Sequence, residues 1–487
     1  MTPVLPHSLG MLPAYAAAQF GDAIALHHGA SLRFGAIAAA VQRVSGAFTE
    51  AGLKPGDRVT LYGENAWEWL VAYHGALHAG GVVNPVNALL TADELGHIMA
   101  DCDAAMAVVS SAQRDRAKAS GRSAKIFDYA DIARIVSQGA AAPSEATPGH
   151  IASITYTSGT TGRPKGAVLS HRAIIANIAL TALLHGKTTD DRIVTALPCA
   201  HVYGAVVANS IFVSGASLDL HTVFNAGEIL DAVERGATMI EGVPTMYAYL
   251  LRENLEARNL SSLRLCTVGG QTMPVATMAE VERRLNCPLI ELWGMTELGG
   301  LGATHPWRGP RKLGSIGTPL PFLEMKIESD AGPGELLVRG PVVMDGYHRN
   351  AVATAEVMTD GWLRTGDIAT RDDDGFYFIV DRAKDMILTA GYNIYPAELE
   401  RVLAEHDAVS LVAVAGIPDS LKGETPCAWV VLKSGQQADE QALLMHCREK
   451  LAAYKVPRRI VFTNDLPRTS TGKILRRALA QTLENSP

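Results

Sequence analysis

The stretch Ile154-Thr-Tyr-Thr157-Ser158-Gly159-Thr160-Thr161-Gly162-Arg163-Pro164-Lys165-Gly166 carries the densest chemistry in the chain. Strand-forming residues lead into a loop of hydroxyls and glycines with one lysine near its end. Glycines expose backbone N–H groups, the Thr and Ser side chains add donors, and Lys165 supplies a point charge. That combination suits a polyphosphate. The segment is not a Walker A loop, because Pro164 stands where that spacing needs glycine before the lysine, and it is not a GxGxxG dinucleotide turn. Ser170 is placed to cap a helix predicted from His171 to about Leu184.

TSGTTGRPKG resembles the phosphate loop of the adenylate-forming (ANL) superfamily, which includes acyl-CoA synthetases, luciferases and adenylation domains of peptide synthetases. Further motifs of that family follow in order. Glu291-Leu-Trp293-Gly294-Met295-Thr296-Glu297 resembles its aromatic-Gly-x-Thr-Glu motif. There a flat ring can stack on adenine, a hydroxyl can bind phosphate and a carboxylate can hold Mg²⁺. Trp293 stands where the family more often has Tyr. Thr267-Val-Gly269-Gly270-Gln271 is similar to the strand-end turn bordering adenine and the acyl group. Gly361-Trp-Leu-Arg-Thr365-Gly366-Asp367 resembles the segment whose Asp binds the ribose hydroxyls, two bonds that one carboxylate accepts well. Asp381-Arg382-Ala383-Lys384-Asp385 resembles the hinge motif, which implies Arg382 on the ribose and Lys384 at the pivot. Pro467-Arg-Thr-Ser-Thr-Gly472-Lys473-Ile474 resembles the loop carrying the family's catalytic lysine, here Lys473.

The resemblance implies an ATP-dependent acid–CoA ligase using ATP, Mg²⁺ and coenzyme A. A carboxylate is a poor acyl donor until attack on the α-phosphate of ATP gives it AMP as leaving group. That step joins anions, so it needs charge neutralisation and in-line positioning more than a nucleophilic side chain. Lys165 and the loop hydroxyls would meet the β- and γ-phosphates, Glu297 would hold Mg²⁺, and Lys473 would bridge the carboxylate and α-phosphate. For the thiol step the family turns its C-terminal domain about the hinge. The corresponding face includes Ala390-Gly391-Tyr-Asn393, with Gly391 letting pantetheine pass close to backbone and Ala390 where many relatives have Gly. His201 matches a position that gates acyl and thiol access, although a lone His in an apolar run is equally a packing residue. The acyl pocket should draw on Tyr203, Val243, Met246, Gly269 to Gln271, Met295, Gly299, Gly300 and Leu301. This mainly apolar set favours a hydrophobic aliphatic or aromatic monocarboxylate. The rival reading is a free-standing adenylation enzyme loading an acyl-carrier protein. The chain shows no appended carrier domain and no insertion before the hinge, and both points favour CoA. Luciferase-type oxygenation has no residue arguing for it. A non-catalytic nucleotide-binding protein would be expected to lack Lys473, Glu297 or Lys165, and all three are present.

The elements that must position these residues read as α/β. Val59-Thr-Leu-Tyr62 is predicted as a strand, Ala66 to Ala79 as a helix stopped by Gly80-Gly81, Val82-Val83 as a strand, and Thr91-Ala-Asp-Glu94 as a helix start. Ala140 to His150 reads as a surface connection, and Gly309 to Gly346 as a region of turns. After Asp381, a helix from Pro396, strands at Val409 to Ala415 and Cys427 to Leu432, and a helix over Ala438 to Ala453 form a compact α+β unit. We therefore expect a large N-terminal domain of several subdomains with mixed sheets and helices (1–380), a hinge (381–384) and a small mobile C-terminal domain (385–487). The 487 residues, 48% hydrophobic and 19% charged, exclude global disorder, a collagen repeat or a disulfide mini-protein. A net charge of −7 offers no overall basic field for nucleic acid or an anionic membrane. Six cysteines, none in CxxC or zinc-site spacing, read as small core residues in a reducing compartment. The N-terminus lacks a signal-peptide pattern, so we expect a cytoplasmic enzyme, monomeric or homodimeric. The charge-free run Ile193 to Leu218 reads as buried strand and loop, because Pro198, His201, Gly204, Asn209 and Ser210 interrupt it.

Overall fold

The computed structural model describes residues 4–121, 124–138, 149–157, 164–329, 332–382, 385–389, 392–419, 423–468, 474–476 and 478–479. The expected connection at 140–148 lies outside them.

Val- and Ile-rich runs bounded by Gly and Pro become strands buried on both faces, the habit of parallel sheets covered by helices. One nine-stranded sheet runs Thr318–Pro319, Gly300–Thr304, Leu289–Met295, Leu265–Val268, Met239–Gly242, Arg192–Thr195, Ser217–Leu220, Ile24–His28, Ala30–Arg33. Its interior from Leu289–Met295 to Ile24–His28 is parallel, and antiparallel strands finish both edges. A seven-stranded sheet runs Gly346–Tyr347, Lys165–Ser170, Ile151–Thr157, Val82–Val86, Arg58–Tyr62, Ala104–Val109, Lys125–Asp128. The helices between strands pack on these sheets and merge their cores, with Phe34, Phe48, Trp69 and Phe212 among the largest fully buried side chains.

Two smaller sheets follow. An antiparallel sheet contains Glu324–Glu328, Gly334–Arg339, Trp362–Arg371, Met358–Thr359 and Tyr377–Arg382. Strands Tyr392–Ile394, Ile387–Thr389, Gly423–Leu432, Val409–Asp419 and Arg459–Phe462 form a separate sheet with its own core, covered by helices Pro396–Ala404 and Glu440–Lys450. This is the large mixed part and small α+β part that the sequence implies.

Local signals explain several boundaries. Thr91 and Glu94 form a reciprocal capping box at the helix Ala92–Asp101. Ser170 Oγ accepts from Ala173 N (3.1 Å), starting the helix His171–Leu184. The predicted helix over 66–79 spans Trp67–His78, with Ala66 at its cap.

Two expectations need correction. Half of the charge-free run is not strand and loop but the helix Val202–Ser214, with the expected strand and loop on either side of it. It is buried nearly all round, so it has no polar face to give helical periodicity. Gly204 is required there, since a Cβ would lie 2.2 Å from the Pro198 carbonyl oxygen. The Gly- and Pro-dense region also holds the hairpin strands Glu324–Glu328 and Gly334–Arg339, not turns alone. All six cysteines are buried and unpaired as disulfides. Among the described residues, no helix is long and apolar enough to cross a membrane.

Candidate active site

The parallel strands of the nine-stranded sheet end in a row of turns, the position where open α/β sheets bind ligands. Leu289–Met295 leads into the turn Thr296–Leu298, closed by Gly299 at φ +61°. Glu297, 6% exposed, is held from two sides. Tyr347 OH donates to its Oε1 (2.8 Å), and Met344 N donates to its backbone carbonyl (2.8 Å). Tyr347 belongs to the short strand that pairs with Lys165–Ser170. Its ring lies 5.3 Å from Lys165 Nζ, so one phenol joins the lysine of the hydroxyl-rich loop to the carboxylate. Thr157 sits directly opposite Lys165 in the two strands flanking that loop. Ser158, Gly159, Thr160 and Thr161 lie outside the described residues.

Asp367 is the second fixed carboxylate, 2% exposed on the strand Trp362–Arg371. Trp293 Nε1 donates to its Oδ2 (2.8 Å), and Arg382 Nε lies 2.8 Å from its Oδ1. Three residues expected around adenine and ribose thus meet. Trp293 itself is 7% exposed and is engaged through its indole edge.

Gly269 is packed so closely that a Cβ would lie 2.2 Å from Leu292 Cδ1, while Gly270, at φ +88°, is exposed and Gln271 half-buried beside it. Gly294 passes Gly300 at a distance that a Cβ would reduce to 2.0 Å from its carbonyl oxygen. Val243, Met246, Met295 and Thr296 are half-buried at the strand ends. Gly299, Gly300 and Leu301 are instead packed inward. Asn177 bonds Leu298 O, Leu301 O and Leu301 N, and these three residues present almost no surface to a ligand. His201 caps the buried helix, accepting from Tyr203 N (3.4 Å).

Tyr203 is buried in a polar cluster. Its hydroxyl contacts Thr267 Oγ1 (2.6 Å) and donates to Glu241 Oε2 (3.2 Å), and Lys187 Nζ lies 2.7 Å from Glu241 Oε1. Burial disfavours the charge on Glu241, but Lys187 beside it holds the carboxyl below its ordinary range. The ion pair is almost fully desolvated, so losing either partner alone would strand a charge.

One residue before Arg382, Asp381 accepts from Ala397 N (2.8 Å), and Arg476 bridges Asp381, Asp385 (3.0 Å) and Glu400 (2.7 Å). Burial pushes Asp381 up to about 6 despite that arginine. Lys384, Gly391 and Lys473 lie outside the described residues.

Sequence reasoning missed Tyr347, Asn177, Lys187 and Glu241, and it gave Glu291 no role although that residue opens the quoted motif. Glu291 was the most findable, a lone acid in the apolar strand two positions before Trp293. It is 4% exposed, Oε2 has no hydrogen-bond partner, and burial pushes the carboxyl up to about 8.

A carboxylate positioned beside a lysine-bearing phosphate-type loop, with a second fixed carboxylate nearby, defines a nucleotide-using enzyme of the adenylate-forming class. The family model "AMP-binding enzyme" matches residues 14–348 and "AMP-binding enzyme C-terminal domain" matches 398–473, so the chain belongs to the AMP-binding enzyme family. It is similar to a feruloyl-CoA synthase of Amycolatopsis sp (36% identity, covering 96% of this chain and 97% of that protein). It is also similar to a long-chain-fatty-acid–CoA ligase of Bacillus subtilis strain 168 (34% identity, 96% and 92%). Among solved structures, an ATP-bound MatB from Rhodopseudomonas palustris superimposes with a TM-score of 0.91 (29% identity, 98% of this chain and 99% of that one).

Glu291 gives a pH test. Its native carboxyl binds a proton up to about pH 8, whereas the unfolded group releases it near 4.5, so its contribution to stability is full below about 4.5 and fades as pH rises through about 8. Thermal melts of Glu291→Gln should match the parent at about pH 4.5 and exceed it by on the order of 4 °C at about pH 8.5. A difference that does not change with pH would contradict a buried neutral carboxyl.

Proposed function

We propose that the protein is an ATP-dependent acid–CoA ligase. A carboxylate attacks the α-phosphate of ATP to give an acyl adenylate and pyrophosphate, and the CoA thiol then takes the acyl group and releases AMP. The observation that carries this reading is Glu297, held by Tyr347 beside Lys165 at the sheet's ligand-binding edge. The similarity to a feruloyl-CoA synthase and a long-chain-fatty-acid–CoA ligase favours CoA over a carrier protein.

In this reading Lys165, Thr157 and the hydroxyls of Ser158, Thr160 and Thr161 hold the β- and γ-phosphates. Asp367 and Arg382 hold the ribose, and Gly269, Gly270 and Gln271 border the adenine. The donors present fit Mg²⁺: one buried carboxylate, Glu297, with the Thr296 hydroxyl next to it, leaves the remaining positions to phosphate oxygens and water. When bound, that ion would neutralise phosphate charge. Lys473 bridges the attacking carboxylate and the α-phosphate, where a cation follows charge that moves between oxygens. The small domain then turns about 381–384, with Lys384 at the pivot, withdrawing Lys473 and presenting Gly391 for the thiol step. Asp381 and Arg476 lie where such a turn would break and remake contacts. Val243, Met246 and Met295 give the acyl group apolar walls with Tyr203 beneath and His201 at the mouth, which suits a hydrophobic aliphatic or aromatic monocarboxylate. A reaction drawing on ATP and CoA fits a cytoplasmic location.

Pyrophosphate release over a panel of aliphatic and aromatic carboxylic acids should depend on the acid, with sustained turnover only when CoA is supplied. Turnover with an acyl-carrier protein but with no acid plus CoA would overturn the assignment. Lys473→Ala should lower adenylate formation by at least about a hundredfold, the loss typical of one electrostatic group in a preorganised site. It should leave thiolation of a supplied acyl adenylate largely intact, and equal loss of both steps would contradict the two-face mechanism.

A further inference from the structure

Trp293 has been read as a ring, but the structure engages its edge. The indole N–H points at Asp367 Oδ2 over 2.8 Å, and the bond is buried. The ring itself is locked, because a Cβ on Gly302 would lie 2.4 Å from its Cζ3. Asp367 is fixed from behind as well: its backbone N donates to Thr365 Oγ1 (3.1 Å), and Thr365 Oγ1 donates in turn to Leu336 O (2.7 Å). Arg382 meets Oδ1 from the solvent side with its side chain 44% exposed, and it is the last described residue before the proposed pivot. Of the two side chains on this carboxylate, one is buried and locked, while the other sits where the chain is expected to turn.

We infer that Trp293 is a positioning residue for the nucleotide: its indole N–H fixes the Asp367 carboxylate so that the remaining lone pairs face the ribose hydroxyls, and it thereby sets the preference for ribose over deoxyribose. The inference rests on the reading of the protein as an ATP-using ligase. A carboxylate has about four acceptor sites, of which Trp293 and Arg382 occupy two, leaving two for a vicinal diol. An unrestrained carboxylate would rotate and meet one hydroxyl nearly as well as two. A bond to a charged group in a desolvated place is also among the stronger ones. Tyr or Phe at this position keeps an aromatic face but has no N–H at that point in space.

Calorimetric titration with ATP, 2′-deoxy-ATP and 3′-deoxy-ATP tests this without any acid or CoA. Trp293→Phe should weaken ATP about tenfold, the scale of one lost charge-assisted bond, and weaken each deoxynucleotide by no more than about threefold. The ribose preference should therefore narrow. In the double variant with Asp367→Asn, the loss should be no greater than in Asp367→Asn alone, because the indole acts through that carboxylate. Equal weakening of all three nucleotides would show that the ring face alone matters and would overturn the inference. Additive losses in the double variant would do the same. Thermal melts of each variant separate lost affinity from lost fold, and a lower melting temperature with an unchanged ribose preference would also overturn it. If the parent protein bound no ATP, the ligase reading itself would fall.

Discussion

Asp367 is a carboxylate taken out of water and bound by side chains from two sheets, Arg382 directly opposite it on the next strand of its own sheet and Trp293 from another. Its own strand belongs to the antiparallel sheet, Trp293 comes from the nine-stranded sheet, and Arg382 ends the strand that leads toward the small domain. Burying a carboxylate is costly unless its lone pairs are filled, so the position is stable only when all three elements are correctly placed. The same demand works in reverse, since a ligand that fills the remaining lone pairs favours the arrangement that presents them.

Glu297 repeats the device between the two large sheets. Its turn follows a strand of the nine-stranded sheet, and the Tyr347 hydroxyl that holds it comes from the edge of the seven-stranded one. Asn177, on the helix that follows Lys165–Ser170, binds the last carbonyl of that turn, Leu298 O, and the carbonyl and amide of Leu301 just beyond it. The phosphate-type loop and the carboxylate motif are far apart in sequence, yet they share these supports. Acyl adenylation brings anions together, and such chemistry depends on donors and charges whose places are set beforehand. The Lys187–Glu241 pair, which the Tyr203 hydroxyl also contacts, is a further case of a charge buried only because a partner is fixed beside it.

What could be read from the sequence follows a physical division. Lys165, Trp293, Glu297, Asp367 and Arg382 were singled out through short, ordered motifs that resemble a known family, and the structure brings Trp293 and Arg382 onto Asp367 and sets Lys165 and Glu297 about one Tyr347 side chain. Strands such as Arg58–Tyr62 and helices such as Ala92–Asp101 were legible because their signals are local: β-branched runs, a capping box, a Gly-Gly stop. Tyr347, Asn177 and Lys187 were not, because each acts on a residue distant in sequence, and nothing in its own neighbourhood announces the partner. The helix Val202–Ser214 was hidden for another reason, as burial on every side removes the polar face that periodicity needs. Trp293 was legible as an aromatic ring, but the direction of its N–H became visible only in three dimensions.

The central claim is that the carboxylate of an acid attacks the α-phosphate in a site built from these fixed charges. Its most direct test follows oxygen. With a substrate acid labelled in its carboxylate by the heavy oxygen isotope, and with CoA and ATP supplied, mass spectrometry of the products should find one labelled oxygen in AMP and none in pyrophosphate. Label in inorganic phosphate accompanied by ADP would mean attack at the γ-phosphate and would contradict the account.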